Sequence, residues 1–256
     1  MSKKARKTAE TVTNPQEHTP QYISSGEYRD GGRAVRPRDA ATLIIVRRGQ
    51  GEPRVLMGQR SASHKFMPNK FVFPGGRVDV GDGRIQPPHD LHPAVLDRLA
   101  QGCSATRARA LALAAIRETF EETGLIIGEP ETPTLKTRSP HWHAFLKHDI
   151  NPRLDVLDYI ARAITPPYRN RRFDARFFMV DAEHIQGEVH ERPVGSGELL
   201  DLHWVELSRA GEMEQLPHIT RMVLHELKRR LSAGEGPERP GPFVHTRHGK
   251  RRVEQH

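Results

Sequence analysis

Residues 117–124 read RETFEETG, and they put three carboxylates where a solvated helix gains nothing from them. Glu118, Glu121 and Glu122 stand at i, i+3 and i+4. On a helix these are stacked neighbours with β-carbons about 5–6 Å apart, so their charges repel unless a cation lies between them. Oxygen donors alone, with no Cys or His in the octet, suit a hard ion such as Mg²⁺ or Mn²⁺ better than zinc. Ala112, Leu113, Ile116 and Phe120 recur at helical spacing on an apolar side, and Gly124 follows as a residue suited to a left-handed C-terminal cap. The competing reading is an ordinary charged helix surface whose glutamates are incidental. What lies upstream decides between them.

Upstream, Phe71–Phe73 forms a short apolar run that leads directly into Pro74, Gly75 and Gly76. Proline fixes one dihedral and two glycines open others, so the chain can turn sharply and bring its backbone against a ligand. Before it, Thr42–Val46 (TLIIV) and Arg54–Gly58 (RVLMG) read as a hairpin across a turn at Gly49–Glu52. Pro93 starts a short helix ending near Gly102, and Ser104 or Thr106 caps the acid helix, whose first half (ATRARALALAA) is built of strong helix formers.

Beyond the octet, Leu125–Ile127 reads as a strand and Glu129–Pro140 as loop. His141, His143 and His148 have no Cys or acid at metal spacing and read as surface or substrate-edge residues. Leu154, Leu157, Ile160, Ala161 and Ile164 suggest an amphipathic helix stopped by Pro166 and Pro167. Arg176–Val180 and Leu199–Leu207 are expected strands, with Trp204 in the core. Ile219–Leu231 closes the body as a helix.

The 256 residues are 36% hydrophobic and 28% charged, enough for one core with polar appendages. The net charge of +8 is mostly in the ends: residues 1–38 carry eight Lys/Arg against four acids, and residues 232–256 five against three. A body near neutrality argues against a phosphate-tracking nucleic-acid groove. The expected organisation is a disordered basic tail over 1–37, a folded domain over 38–231 with an insertion at about 83–104, and a disordered tail over 232–256. Cys103, the single cysteine, forms no intramolecular disulfide and reads as an incidental small residue. With no ~20-residue apolar span and no hydrophobic signal core, the expectation is a cytoplasmic protein without a membrane partner.

The centre of the chain resembles the Nudix hydrolases, whose box is G-x5-E-x7-R-E-U-x-E-E-x-G-U, with U aliphatic. Arg117, Glu118, Glu121, Glu122, Gly124 and Leu125 match its second half, and Thr119 stands where an aliphatic residue is usual. The first half fits from Gly76, with Asp82 six positions on in place of the first Glu and 27 extra residues before Arg117, so the insertion follows Asp82. Ahead of the box, Arg60, Ser61, Lys65, Asn69 and FPGG are similar to the coenzyme A diphosphatase signature R-[SA]-x3-R-x3-G-x3-FPGG, with Lys65 for Arg and Asn69 for Gly. Thr165–Phe178 (TPP…RRFDARFF) also looks like peroxisomal-type Nudix coenzyme A hydrolases and their bacterial relatives.

The resemblance implies an α/β/α sandwich with a mixed central sheet and metal-dependent cleavage of a pyrophosphate linkage, coenzyme A or an acyl derivative being the leading substrate. Glu118, Glu121, Glu122 and the Gly76 carbonyl would hold Mg²⁺ or Mn²⁺, Arg117 would orient the glutamates and Asp82 would help hold Arg117. Glu198, with Glu188 and Glu191 as alternatives, would take the proton of the attacking water. Arg60 and Lys65 are candidates for substrate phosphates. ADP-ribose, dinucleotides and capped RNA stay open as substrates, as do a binding module without turnover and a homodimer.

Overall fold

The computed structural model describes residues 32–63, 66–132, 135–187, 197 and 199–256. β1 (Arg38–Arg47) carries the run TLIIV and is the centre of the sheet, covered on both faces. Its alternate residues go to opposite cores: Ala41, Leu43 and Ile45 to one, Ile44 and Val46 to the other. A strand buried on both sides gains from β-branched residues at every position, which explains why this run does not alternate with polar ones.

β2 (Arg54–Arg60) returns antiparallel to β1 through Val46↔Val55, as expected. β3 (Phe71–Val72) pairs with β2, and β4 (Gly75–Arg77) pairs antiparallel with the first half of β1. After a 3-10 turn at Asp82–Arg84 come α1 (Pro93–Ala100) and α2 (Ala105–Thr123). Ser104 caps α2 by accepting from the Arg107 N–H at 3.2 Å, and Gly124, with φ 71°, ends it by donating to the Phe120 carbonyl. Leu111, Leu113 and Ile116 are wholly buried, each contributing roughly 1.5–3 kcal/mol.

Then follow β5 (Ile126–Pro130), α3 (Pro140–Leu146), β6 (Ile150–Pro152), β7 (Asp158–Ile164), β8 (Phe173–Asp181), β9 (Ile185–Gln186), β10 (Leu199–Glu206), α4 (Leu207–Glu212), α5 (His218–Ala233), β11 (Pro242–Arg247) and β12 (Lys250–Gln255). The main sheet runs β10-β2-β1-β8-β7-β11-β12 with β3 and β4 attached, and β6-β5-β9 form a small second sheet. β1 is parallel to β8 while β7 is antiparallel to it, so the sheet is mixed. α1, α2 and α3 lie with one core and α4 and α5 with the other, which completes the α/β/α sandwich.

Two expectations are corrected. Leu154–Ile164 is no helix: a turn closed by Leu157 N–H on Leu154 O leads into strand β7. Tyr159 and Ile160 enter opposite cores, so the apolar spacing that imitated a helix belongs to a strand covered on both faces. Residues 232–256 are no disordered tail, because β11 pairs parallel with β7 and turns back as β12. Pro, Gly and Arg made that stretch look unable to support itself; it takes its hydrogen bonds from a sheet edge and from distant arginines. At the other end β1 begins at Arg38, close to the expected domain start, and residues 1–31 lie outside the described part.

Candidate active site

β4 runs between β1 and the C-terminal half of α2, and its two glycines allow close approach on both sides. A β-carbon on Gly76 would lie 2.3 Å from Glu118 Oε2. One on Gly75, with φ +152°, would lie 2.4 Å from the Ala41 carbonyl oxygen. The Gly75 N–H donates to Glu122 Oε2 at 2.8 Å. Leu43 N–H donates to Pro74 O and Val78 N–H to Asp39 O, with Gly76 opposite Ala41 between them. Alternate residues of β4 therefore face β1, and Gly75 turns its backbone polar groups the other way, toward the glutamates.

Arg117 is the hub of the acids. Its Nε and Nη2 donate to the two oxygens of Asp82 at 2.8 and 3.0 Å, and Nη2 also reaches the Arg77 carbonyl at 2.9 Å. Nη1 donates to Glu118 Oε1 at 2.9 Å and to both oxygens of Glu121 at 3.2 and 3.1 Å. Burial works against the guanidinium charge, but the Asp82 fork and the charges of Glu118 and Asp82 outweigh it and raise the Arg117 pKa. Burial raises the Glu118 pKa, against the pull of Arg117. Thr119 fills its unusual place in the box by donating its hydroxyl to Ala115 O at 2.8 Å.

Asp82 is wholly buried and accepts two further bonds, from Trp142 Nε1 at 2.8 Å and the Asp79 N–H at 2.7 Å. The residue after Pro140 in α3, His141, places Nδ1 2.8 Å from Glu121 Oε1. Thus two consecutive residues of α3 hold two of the acids bound to Arg117. The reading of Glu129–Pro140 as loop missed the helix that begins at Pro140. Ser139-Pro140 ahead of an aromatic run was its signal, proline being suited to a first helical position.

The structure thus brings together Gly76, Asp82, Arg117, Glu118, Glu121 and Glu122. Among the described residues no three acidic, imidazole or thiol groups converge closely enough to enclose an ion as they stand. Glu118 and Glu121 turn to Arg117, and Glu122 to Gly75. The donor set still fits a hard divalent cation, being all oxygen, partly buried and richer in negative charge than Arg117 offsets. Arg60 ends β2 opposite Leu199, and its backbone bonds Asn69 and Lys70. Lys65, Glu188, Glu191 and Glu198 lie outside the described residues.

A NUDIX hydrolase crystal structure from Alicyclobacillus acidocaldarius superimposes with a TM-score of 0.57 and 26% identity, covering 74% of this chain and 90% of that one. A Caenorhabditis elegans protein named nudix hydrolase 7 is 34% identical over 89 residues, 35% of this chain. In fold and in its box the chain is similar to the Nudix hydrolases. The chain spans about a fifth, 22%, of the worm relative's length. No protein-family model matches this chain. The stretch that resembles the Nudix box is split after Asp82 by a segment that is itself packed: Ile85, Leu91, Val95 and Leu99 are buried in the core shared with α2. The split leaves the Asp82–Arg117 fork closed across 35 residues of sequence. Asp82, one methylene shorter than the usual Glu, still reaches Arg117 with both oxygens.

Proposed function

We propose that this chain hydrolyses the pyrophosphate linkage of a nucleoside diphosphate derivative, with coenzyme A or an acyl-coenzyme A as preferred substrate, using Mg²⁺ or Mn²⁺. The observation that carries the reading is the seat of the acids: Glu118 lies against Gly76 and Glu122 on the Gly75 amide, where solvated glutamates of a surface helix would point away. Glu118, Glu121 and Glu122 would hold the cation, and a carbonyl of the glycine pair would join them. Gly75 is favoured over Gly76, because Gly76 spends its backbone groups on β1 while Gly75 turns its own toward the glutamates. The cation would neutralise phosphoryl oxygens and lower the pKa of the attacking water. Arg117 keeps Glu118 and Glu121 in register, and Asp82, held by Trp142, keeps Arg117 in place. Glu198 remains our candidate for accepting the water proton.

Support for coenzyme A comes from the stretch ahead of the box. Asn69 has φ +57°, in the left-handed region that glycine favours and Asn tolerates, which suits its place at the signature glycine. Arg60 N–H on Lys70 O and Asn69 N–H on Arg60 O tie Asn69 and Lys70 to Arg60, the first residue of the signature. The test is product analysis over coenzyme A, acyl-coenzyme A, ADP-ribose, NADH and diadenosine polyphosphates, with and without Mn²⁺, beside a Glu121→Gln, Glu122→Gln control. Metal-dependent release of 4′-phosphopantetheine at the highest kcat/KM is the expected result. A higher kcat/KM for ADP-ribose would move the assignment to that substrate, and no metal-dependent turnover of any of them would remove the enzyme reading.

A further inference from the structure

β12 is the last strand in the order of the main sheet, and all six of its residues are exposed. Such an edge offers unpaired main-chain groups to another strand, and charges usually discourage that pairing. Here Lys250, Arg251 and Arg252 do so against a basic or apolar strand. One partner, however, matches the edge residue by residue.

The match follows from ladder parity. Gly241 and His256 exchange both of their hydrogen bonds, at 2.8 and 2.9 Å, and the register runs on through Phe243↔Glu254, His245↔Arg252 and Arg247↔Lys250. In an antiparallel ladder, bonded and non-bonded pairs alternate. Lys250, Arg252 and Glu254 therefore spend their backbone groups on β11, while Arg251, Val253 and Gln255 turn theirs outward. A second β12 laid antiparallel about a two-fold axis must bring outward residues opposite one another. Centred on Val253, it places Val253 against Val253, Arg251 against Gln255, and Arg252 against Glu254 twice. A shift of one residue per strand either way leaves Arg252 facing Arg252 or Glu254 facing Glu254. Direct cross-strand neighbours have β-carbons about 4.5–5.5 Å apart, so unlike charges favour one register and like charges oppose the others. Val253, 53% exposed, is among the most exposed large apolar residues of the described chain.

We infer that β12 is a self-association edge: two copies of this chain join their main sheets by antiparallel pairing of β12 centred on Val253. A pair of six-residue strands buries less than the ~1,200 Å² at the lower end of stable interfaces, so the association belongs to the weak class and is sought up to high concentration. The test is sedimentation equilibrium of the full chain from about 1 to 500 µM, with Arg252→Glu, Glu254→Arg and the double exchange. A concentration-dependent dimer is expected, weakened about tenfold or more by either single change, which sets like charges in two rows, and recovered within about threefold by the double exchange. Hydrogen exchange gives a second readout that needs no variant. The amides of Arg251, Val253 and Gln255 gain protection as concentration rises, while those of Arg252 and Glu254 are protected throughout. A monomer at 500 µM, a dimer indifferent to the exchanges, or protection at 251, 253 and 255 that ignores concentration would each overturn the inference.

Discussion

Among the described residues, the buried arginine clusters around Arg117 and around Arg98 and Arg230 differ in charge balance, and that difference separates a site from a strut. Around Arg117 gather Asp82, Glu118 and Glu121, with Glu122 beside them on Gly75, four carboxylates to one guanidinium. Around Arg230 and Arg98 gather Glu226 and Asp158, two acids to two guanidiniums. The second pair also donates to main-chain carbonyls, Arg230 to those of Arg239 and Pro240 and Arg98 to those of Pro237 and His256, although Arg98 Nη2 is buried without a hydrogen-bond partner. That set is neutral and clamps the C-terminal hairpin to α1 and α5. Burial and the neighbouring Arg230 push Arg98 down to about 10, and burial raises Asp158. The first set has a surplus of negative charge, which a bound cation would offset. A balanced cluster needs no ligand; an unbalanced one beside a glycine strand is shaped for one.

The largest effect expected from breaking this division is at Asp82. Asp82→Ala leaves Arg117 buried without its fork and should cost about 3–5 kcal/mol in denaturant unfolding, together with most of the activity. Arg230→Met should cost somewhat less, about 3 kcal/mol, because Asp158 then keeps only Arg98 at 3.6 Å and Glu226 only the more exposed Arg229. Its kcat per folded molecule should stay at the wild-type value, and a fall would mean that the second cluster also serves the site.

Glu122→Gln keeps an acceptor for the Gly75 N–H, so thermal unfolding should barely move. kcat should drop at least ~100-fold, the upper end of what groups one step from a metal show. His141→Ala removes only the imidazole on Glu121 and should lower Mn²⁺ affinity or kcat about tenfold, read by titration calorimetry and steady-state rates.

The smallest expected effect has the opposite sign. Burial raises the Glu118 pKa, so the folded state holds that proton more tightly than the unfolded chain, and stability attributable to Glu118 falls as pH rises above the ordinary glutamate range. In metal-free protein at neutral pH, Glu118→Gln should therefore raise the melting temperature while abolishing turnover. A lower melting temperature would show that Glu118 strengthens the hub instead of being strained by it.

How much of this was legible varied with range. The helix under RETFEETG, its Ser104 cap and its Gly124 end rest on neighbours within a few residues, and the structure has them where the spacing predicts. The hairpin and the strand into Gly75-Gly76 were equally local. Leu154–Ile164 misled because a strand buried on both faces shows apolar residues at spacings a helix also uses. His141 and Trp142 carried no legible role, since their partners lie 20 and 60 residues away. Residues 236–256 read as unsupported because their support comes from Arg98, Arg230 and β7.

The sequence by itself determined the acid helix with its caps, the β1–β2 hairpin and the glycine turn, because helix periodicity, capping and glycine turns are set by contacts along the chain. Only the tertiary structure decided that Asp82 closes on Arg117 across the insertion, that α3 returns to hold both Asp82 and Glu121, and that the C-terminal segment is part of the sheet. Each of those depends on burying charge against a partner far away in sequence, and an ion taken out of water is tolerated only when the fold brings a partner that compensates its lost hydration.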